Sequence, residues 1–175
     1  MKKNLHLIVI LFTTLISFSG KAQTSDQMIK DWERVKAYTK EYLDVMPEEG
    51  YAFKPTPEMR SFDAEMMHLA NGNFGMSAMP SNTKSPYESG SLEKMEDKSK
   101  SNTTKLVMAS YDFVINAIKN MKTEQFAINV KIANKFEMPA SVAFAKLFEH
   151  QTHMRGQTMV YLRLKEITPP SEKLF

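Results

Sequence analysis

Three histidines and one methionine are the side chains whose types and spacing suit metal chemistry. His150, His153 and Met154 fall within one turn of the stretch FEHQTHMRGQTMVYLRL, and His68 lies far upstream in SFDAEMMHLANGNFG. Residues three and four apart share a helix face. Two of the downstream group can therefore bind one ion, and His68 can add a ligand from a second helix. Each residue also has a plainer reading. Two histidines one turn apart are common on exposed faces, a lone histidine is often a hydrogen-bonded core residue, and Met154 alone reads as packing. Spacing leaves both readings open.

The chain has no cysteine. That removes thiol nucleophiles, thiolate metal sites and a lipidated cysteine, leaving imidazole, carboxylate, thioether and amide donors. No Ser–His–Asp set or close carboxylate pair offers a metal-free mechanism. Around His68, at helical spacing, stand Ala64, Glu65, Asn71 and Gly72, with Gly75 a turn further on. These leave room beside the imidazole. Glu65, one turn before His68, is placed to orient a ring N–H. Gln157 and Arg155 are candidates to hydrogen-bond nearby backbone or an anion, although a structural salt bridge is the simpler role for Arg155. Gly156 costs about 1 kcal/mol inside a helix, which close approach of another helix would explain. Met66, Met67, Met76 and Met159 lie on the same two segments as further soft donors, with core filling the simpler role for most.

Four periodic segments have to position these groups. Met28, Trp32, Val35, Tyr38, Tyr42, Val45 and Met46 repeat at three and four, predicting an amphipathic helix over about 25–46. Pro47, Gly50, Pro55 and Pro57 then mark a loop. Ser61 can cap a second helix over about 62–78. Residues 79–102, rich in serine with Pro80, Pro86 and Gly90, read as a long connection with a helical turn or two between Glu93 and Lys100. A third helix follows over about 103–121. Phe126, Ile128, Val130 and Ile132 alternate, and with no partner strand evident the stretch near 124–133 reads as an extended arm along the bundle. Pro139 suits the first turn of a fourth helix, which runs to about Lys165 before Pro169 and Pro170. Four amphipathic helices predict an all-α four-helix bundle, a fold that builds sites in its core from facing side chains.

The first residues read as a secretory signal. Lys2 and Lys3 precede an apolar core of Leu7 to Phe12 with Leu15, Ile16 and Phe18, and Gly20 and Ala22 set a cut before Gln23. The core is shorter than the roughly 20 residues of a spanning helix, so cleavage is expected to leave no stable membrane anchor. The domains are then a signal over 1–22 and one bundle over 23–175, exported to the periplasm or secreted. Of 23 basic residues, Lys2, Lys3 and Lys21 leave with the signal, so 20 face 20 acidic ones. That neutral balance gives no basic patch for nucleic acid. The expected partners are a small-molecule substrate, unidentified, and a second copy of the chain in a homodimer.

Taken together, SFDAEMMHLANGNFG, the later FEHQTHMRGQTMVYLRLKEITPP, the first-helix stretch DWERVKAYTKEYLDVMPEEGYAFKP and the C-terminal ITPPSEKLF resemble the DinB/YfiT-like family of metal-binding four-helix bundles over the whole mature chain. The resemblance implies a divalent ion, zinc or nickel, on three histidines: one on the second helix and two, four apart, on the fourth. By position, the first two ligands are His68 and His150. The third falls on Met154, a departure from the family pattern. His153 is the alternative third ligand, a two-histidine site with water a weaker outcome, and Met154 as ligand would favour copper. Members of the family include metal-dependent thiol transferases and hydrolase-like proteins. The implied functions are a metal-dependent transferase or hydrolase, a non-catalytic extracytoplasmic metal binder, or a bundle that has lost its metal and serves as a binding module.

Overall fold

The computed structural model describes residues 24–175, so the signal expected over 1–22 lies outside the described residues. Four helices make the frame: α1 (Ser25–Val45), α2 (Phe62–Ala78), α3 (Lys100–Asn120) and α4 (Ala140–Leu164). Each starts where the local chemistry allows. The Thr24 hydroxyl accepts from the Gln27 amide at 3.2 Å, and Ser99 does the same for Asn102 at 3.3 Å, each satisfying a free amide of a first turn. Ser61 stands at the α2 cap position but makes no capping bond. Its hydroxyl donates instead to the Asp63 carboxylate. Pro139 sits one residue before α4, as its cap.

The expected α1 stripe is buried except at Val45, which is exposed. Trp32, Tyr42, Tyr111, Tyr161, Phe62 and Phe144 are fully buried. Trp32 meets Phe148 edge-on at 5.5 Å between ring centroids and tilts against Tyr111 at 5.8 Å, joining α1 to α3 and α4. Truncating such a side chain typically costs about 3–5 kcal/mol.

The helices are not equivalent. Whereas α1 keeps a wet face, α2 is buried round most of its circumference, with even Asp63, Glu65, Asn73 and Ser77 out of solvent. It packs between α3 and α4, and the connection after it folds back over it at a short 3-10 turn, Leu92–Lys94. Leu92 is fully buried there. The centre of the second helix is therefore interior.

The extended arm expected near 124–133 is instead a 3-10 turn, Thr123–Ala127, followed by one strand of a hairpin. Strands β1 (Asn129–Ile132) and β2 (Phe136–Pro139) pair antiparallel, Asn129 opposite Pro139 and Ile132 opposite Phe136. The partner strand is supplied by the next few residues. Ala133 and Asn134 turn the chain with φ of 51° and 55°, and the Lys135 amide closes the turn on the Ile132 carbonyl at 3.1 Å. Two consecutive left-handed residues are what a tight hairpin turn requires.

Candidate metal site

His68 on α2 and His150 on α4 are brought face to face, with ring centroids 5.5 Å apart and planes tilted by 58°. Two features of the local sequence make that approach feasible. His68 sits mid-helix on a rigid interior element. Opposite it, His150 lies against Gly72, where a Cβ would stand 2.4 Å from the imidazole Cε1 and 2.7 Å from Nδ1. Only glycine leaves that seat open. The room expected beside His68 is thus filled by the second histidine.

His68 Nδ1 donates to the Glu93 carboxylate at 2.8 Å. In the neutral ring this bond keeps the proton on Nδ1 and leaves Nε2 with the lone pair that binds a metal. Asn71 supports the same carboxylate oxygen at 3.4 Å, and Arg60 Nε meets the other at 3.2 Å. Partial burial works against the Glu93 charge, but the His68 bond, the charges of His68 and Arg60 and the Asn71 bond outweigh it. They hold the carboxyl below its ordinary range. His150 is the opposite case. Burial first, then repulsion from His68 and His153 when they are protonated and from Arg60, push its pKa down, so it stays neutral and able to ligate. Its Nδ1 is buried without a hydrogen-bond partner.

The other expected residues are placed differently. Met154 is buried in the hydrophobic core. His153 is exposed, and its Nε2 accepts from the Gln157 amide at 2.6 Å. Glu65 makes no bond to His68. It is 2% exposed, its Oε2 accepts from Arg60 at 3.4 Å, and Oε1 has no partner. Helical side chains lean toward the N-terminus, so Glu65 reaches back to Arg60 and Gln157 back to His153. The carboxylate that orients His68 is Glu93, from the connection, where sequence distance gave no cue. Arg155 has no carboxylate among its partners. Its guanidinium donates to Gln151 Oε1 at 2.7 Å and covers the Tyr38 ring at 4.6 Å. Gly156 is exposed with nothing within 4 Å, so no helix approaches it, and nothing in the structure explains this glycine. Met66 and Met67 fill the core, while Met159 faces solvent.

Among the described residues no three His, Asp or Glu side chains are gathered closely enough to hold an ion. The donors that fit a metal are two: His68, whose Nδ1 is held by Glu93, and neutral His150 with an orphaned ring nitrogen. The position at which the resemblance implies a third ligand carries the Met154 thioether.

The comparisons agree with this architecture. A DinB-like protein from Bacillus cereus is 19% identical, with a TM-score of 0.75 over 87% of this chain and 99% of that one. YfiT from Bacillus subtilis, described as a probable metal-dependent hydrolase with an unusual four-helix bundle topology, is 15% identical, with a TM-score of 0.65 over 82% and 89%. A mycothiol-dependent maleylpyruvate isomerase is 12% identical, with a TM-score of 0.57 over 75% and 60%. At such identities these likenesses speak for the fold alone. No curated protein matches the chain. The DinB family model matches residues 19–173, nearly the whole sequence, and the chain belongs to the DinB family.

Proposed function

We propose that this protein is exported and binds one divalent metal ion between α2 and α4, with His68 and His150 as the ligands common to every form of the site. The observation that carries the reading is the facing pair of imidazoles, one held by Glu93 at Nδ1 and the other with Nδ1 buried and lacking a partner. A bound ion would supply Lewis-acid polarisation or a water of lowered pKa. The chain's own contribution is positional. Glu93 fixes the His68 tautomer, Arg60 steadies Glu93, and Gly72 admits the His150 ring. His153, bonded to Gln157 on the outer face, is left out of the set. Position 154, where the resemblance implies a third ligand, carries a thioether, which suits cuprous copper better than zinc or nickel, although it lies in the hydrophobic core here.

The activity proposed is hydrolytic, the class named for YfiT. An exported protein is away from the cytoplasmic low-molecular-weight thiols that a thiol transferase needs. A second reading, a binding module that has lost its metal, draws on the buried thioether and the missing third hard ligand.

Metal titration of the mature protein, with its Met154→His and His150→Ala variants, tests the reading. Zinc or nickel should bind wild type weakly and Met154→His more tightly, while cuprous copper shows the reverse order. His150→Ala should abolish binding of all three. Metal uptake that survives His150→Ala would refute the assignment, and no uptake by wild type or Met154→His would favour the metal-free module. Mass spectrometry of the exported protein should show residues 1–22 removed.

A further inference from the structure

A cleft of about 410 Å³ opens beside the histidine pair, within the size range of small-molecule sites. His68 and His150 form one end. Met76 and Met79 of α2, Gly90 of the connection and Ile132 and Ala133 of the hairpin form walls, with Gly75 in the floor. Four segments, α2, the connection after it, the hairpin and α4, thus border one mainly apolar space, with Asn71 and Glu93 beside the imidazoles.

Gly75 is the informative residue. A glycine inside a helix costs about 1 kcal/mol relative to alanine, and a packing need normally explains it. Gly72, three residues earlier, has such a need, since His150 occupies the place of its side chain. At Gly75 a Cβ would meet nothing within 4 Å. The vacancy belongs to the cleft, so its floor is left bare where no part of the protein uses the space.

We infer that this cleft takes a small molecule with a slender, unbranched apolar body lying over Gly75 between the methionines and Ile132, and one polar head group at His68 and His150. Only the head group's attachment rests on the metal reading above. The body is held by apolar contact and needs no ion. A bulky or multiply charged ligand does not suit walls of this kind.

The primary alcohols from butan-1-ol to octan-1-ol test the body alone in metal-free protein, read by the methyl NMR signals of Met76 and Met79. Saturable shifts are expected, with affinity rising about fourfold per added methylene until the cleft is filled. Gly75→Leu should weaken binding of the longer alcohols at least tenfold and flatten the series. Gly75→Ala, which favours the helix, should blunt it less, so a misfolded leucine variant does not end the test. Gly156→Ala, at a helix glycine outside the cleft lining, should leave the alcohol series unchanged. Absence of saturable shifts, or a series indifferent to both Gly75 variants, would overturn the inference. Zinc-loaded protein is then titrated with alkyl hydroxamates of matching length. These should bind more tightly than the alcohols. A normal alcohol series with no gain from the hydroxamate head would leave the cleft standing and count against the metal reading.

Discussion

Among the described residues, two of the interior polar clusters are built on opposite terms. One joins α1, α3 and α4. The Tyr111 hydroxyl pairs with Thr39 at 2.7 Å and donates to Gln151 Oε1 at 3.0 Å, and Arg155 donates to the same oxygen at 2.7 Å with its face on Tyr38. No side-chain atom of that cluster is orphaned. The other lies along the seam of α2 and α4. There His150 Nδ1 and Glu65 Oε1 are buried without partners, and a cleft opens beside the rings. A satisfied buried network rigidifies a fold, whereas orphaned buried groups cost free energy and call for a compensating role. The first cluster reads as structure and the second as function.

The largest effect expected falls on the closed cluster. Gln151→Leu removes the acceptor shared by Tyr111 and Arg155 and should destabilise the fold by about 3 kcal/mol, measured by urea unfolding. Metal affinity should barely change. His150→Leu should do the reverse, leaving the metal-free fold as stable or slightly more so, because it removes a buried orphan, while abolishing metal binding. If both substitutions behaved alike, the distinction between the clusters would fail.

Next comes alkaline pH. Burial pushes the Tyr111 phenol up to about 12, from an ordinary value of 10.0. The unfolded chain loses this proton first, so the contribution is complete below about pH 10 and disappears as pH rises toward 12. Tyr111→Phe should flatten that stretch of the stability curve by roughly 2–3 kcal/mol relative to wild type. Parallel curves would place the ring in a less enclosed site.

A smaller change is expected at Glu93. Glu93→Ala removes the acceptor that fixes His68 and should weaken metal affinity about 10- to 100-fold with little effect on melting temperature. Unchanged affinity would mean that the bond to His68 is incidental. Smallest of all, Gly156→Ala should stabilise the helix by about 1 kcal/mol without touching either cluster.

How much of this was legible beforehand follows from what each feature depends on. Helix periodicity gave all four helices, and α2 to the residue, because apolar spacing is local information. The hairpin was missed since its second strand, Phe136–Pro139, has only four residues and its turn is Ala-Asn rather than a glycine pair. Asn134, tolerant of left-handed backbone, was the cue. Residue type allowed His68 to join the α4 group, but only the resemblance singled out His150, as no rule of spacing links residues 82 positions apart. Glu93 was invisible as a partner, because it reaches His68 from a polar connection whose path depends on the burial of Leu92. Glu65 was an error of direction: helical spacing placed it near His68, but the lean of helical side chains turned it to Arg60.

The central claim is that His68 and His150 share one ion. It is tested most directly by long-range proton–nitrogen spectra of the imidazole rings during zinc titration of the mature protein. The His68 and His150 nitrogens should shift together, reach saturation at one zinc per chain, and leave the His153 signals in place. A response confined to His153, or separate saturation of His68 and His150, would contradict it.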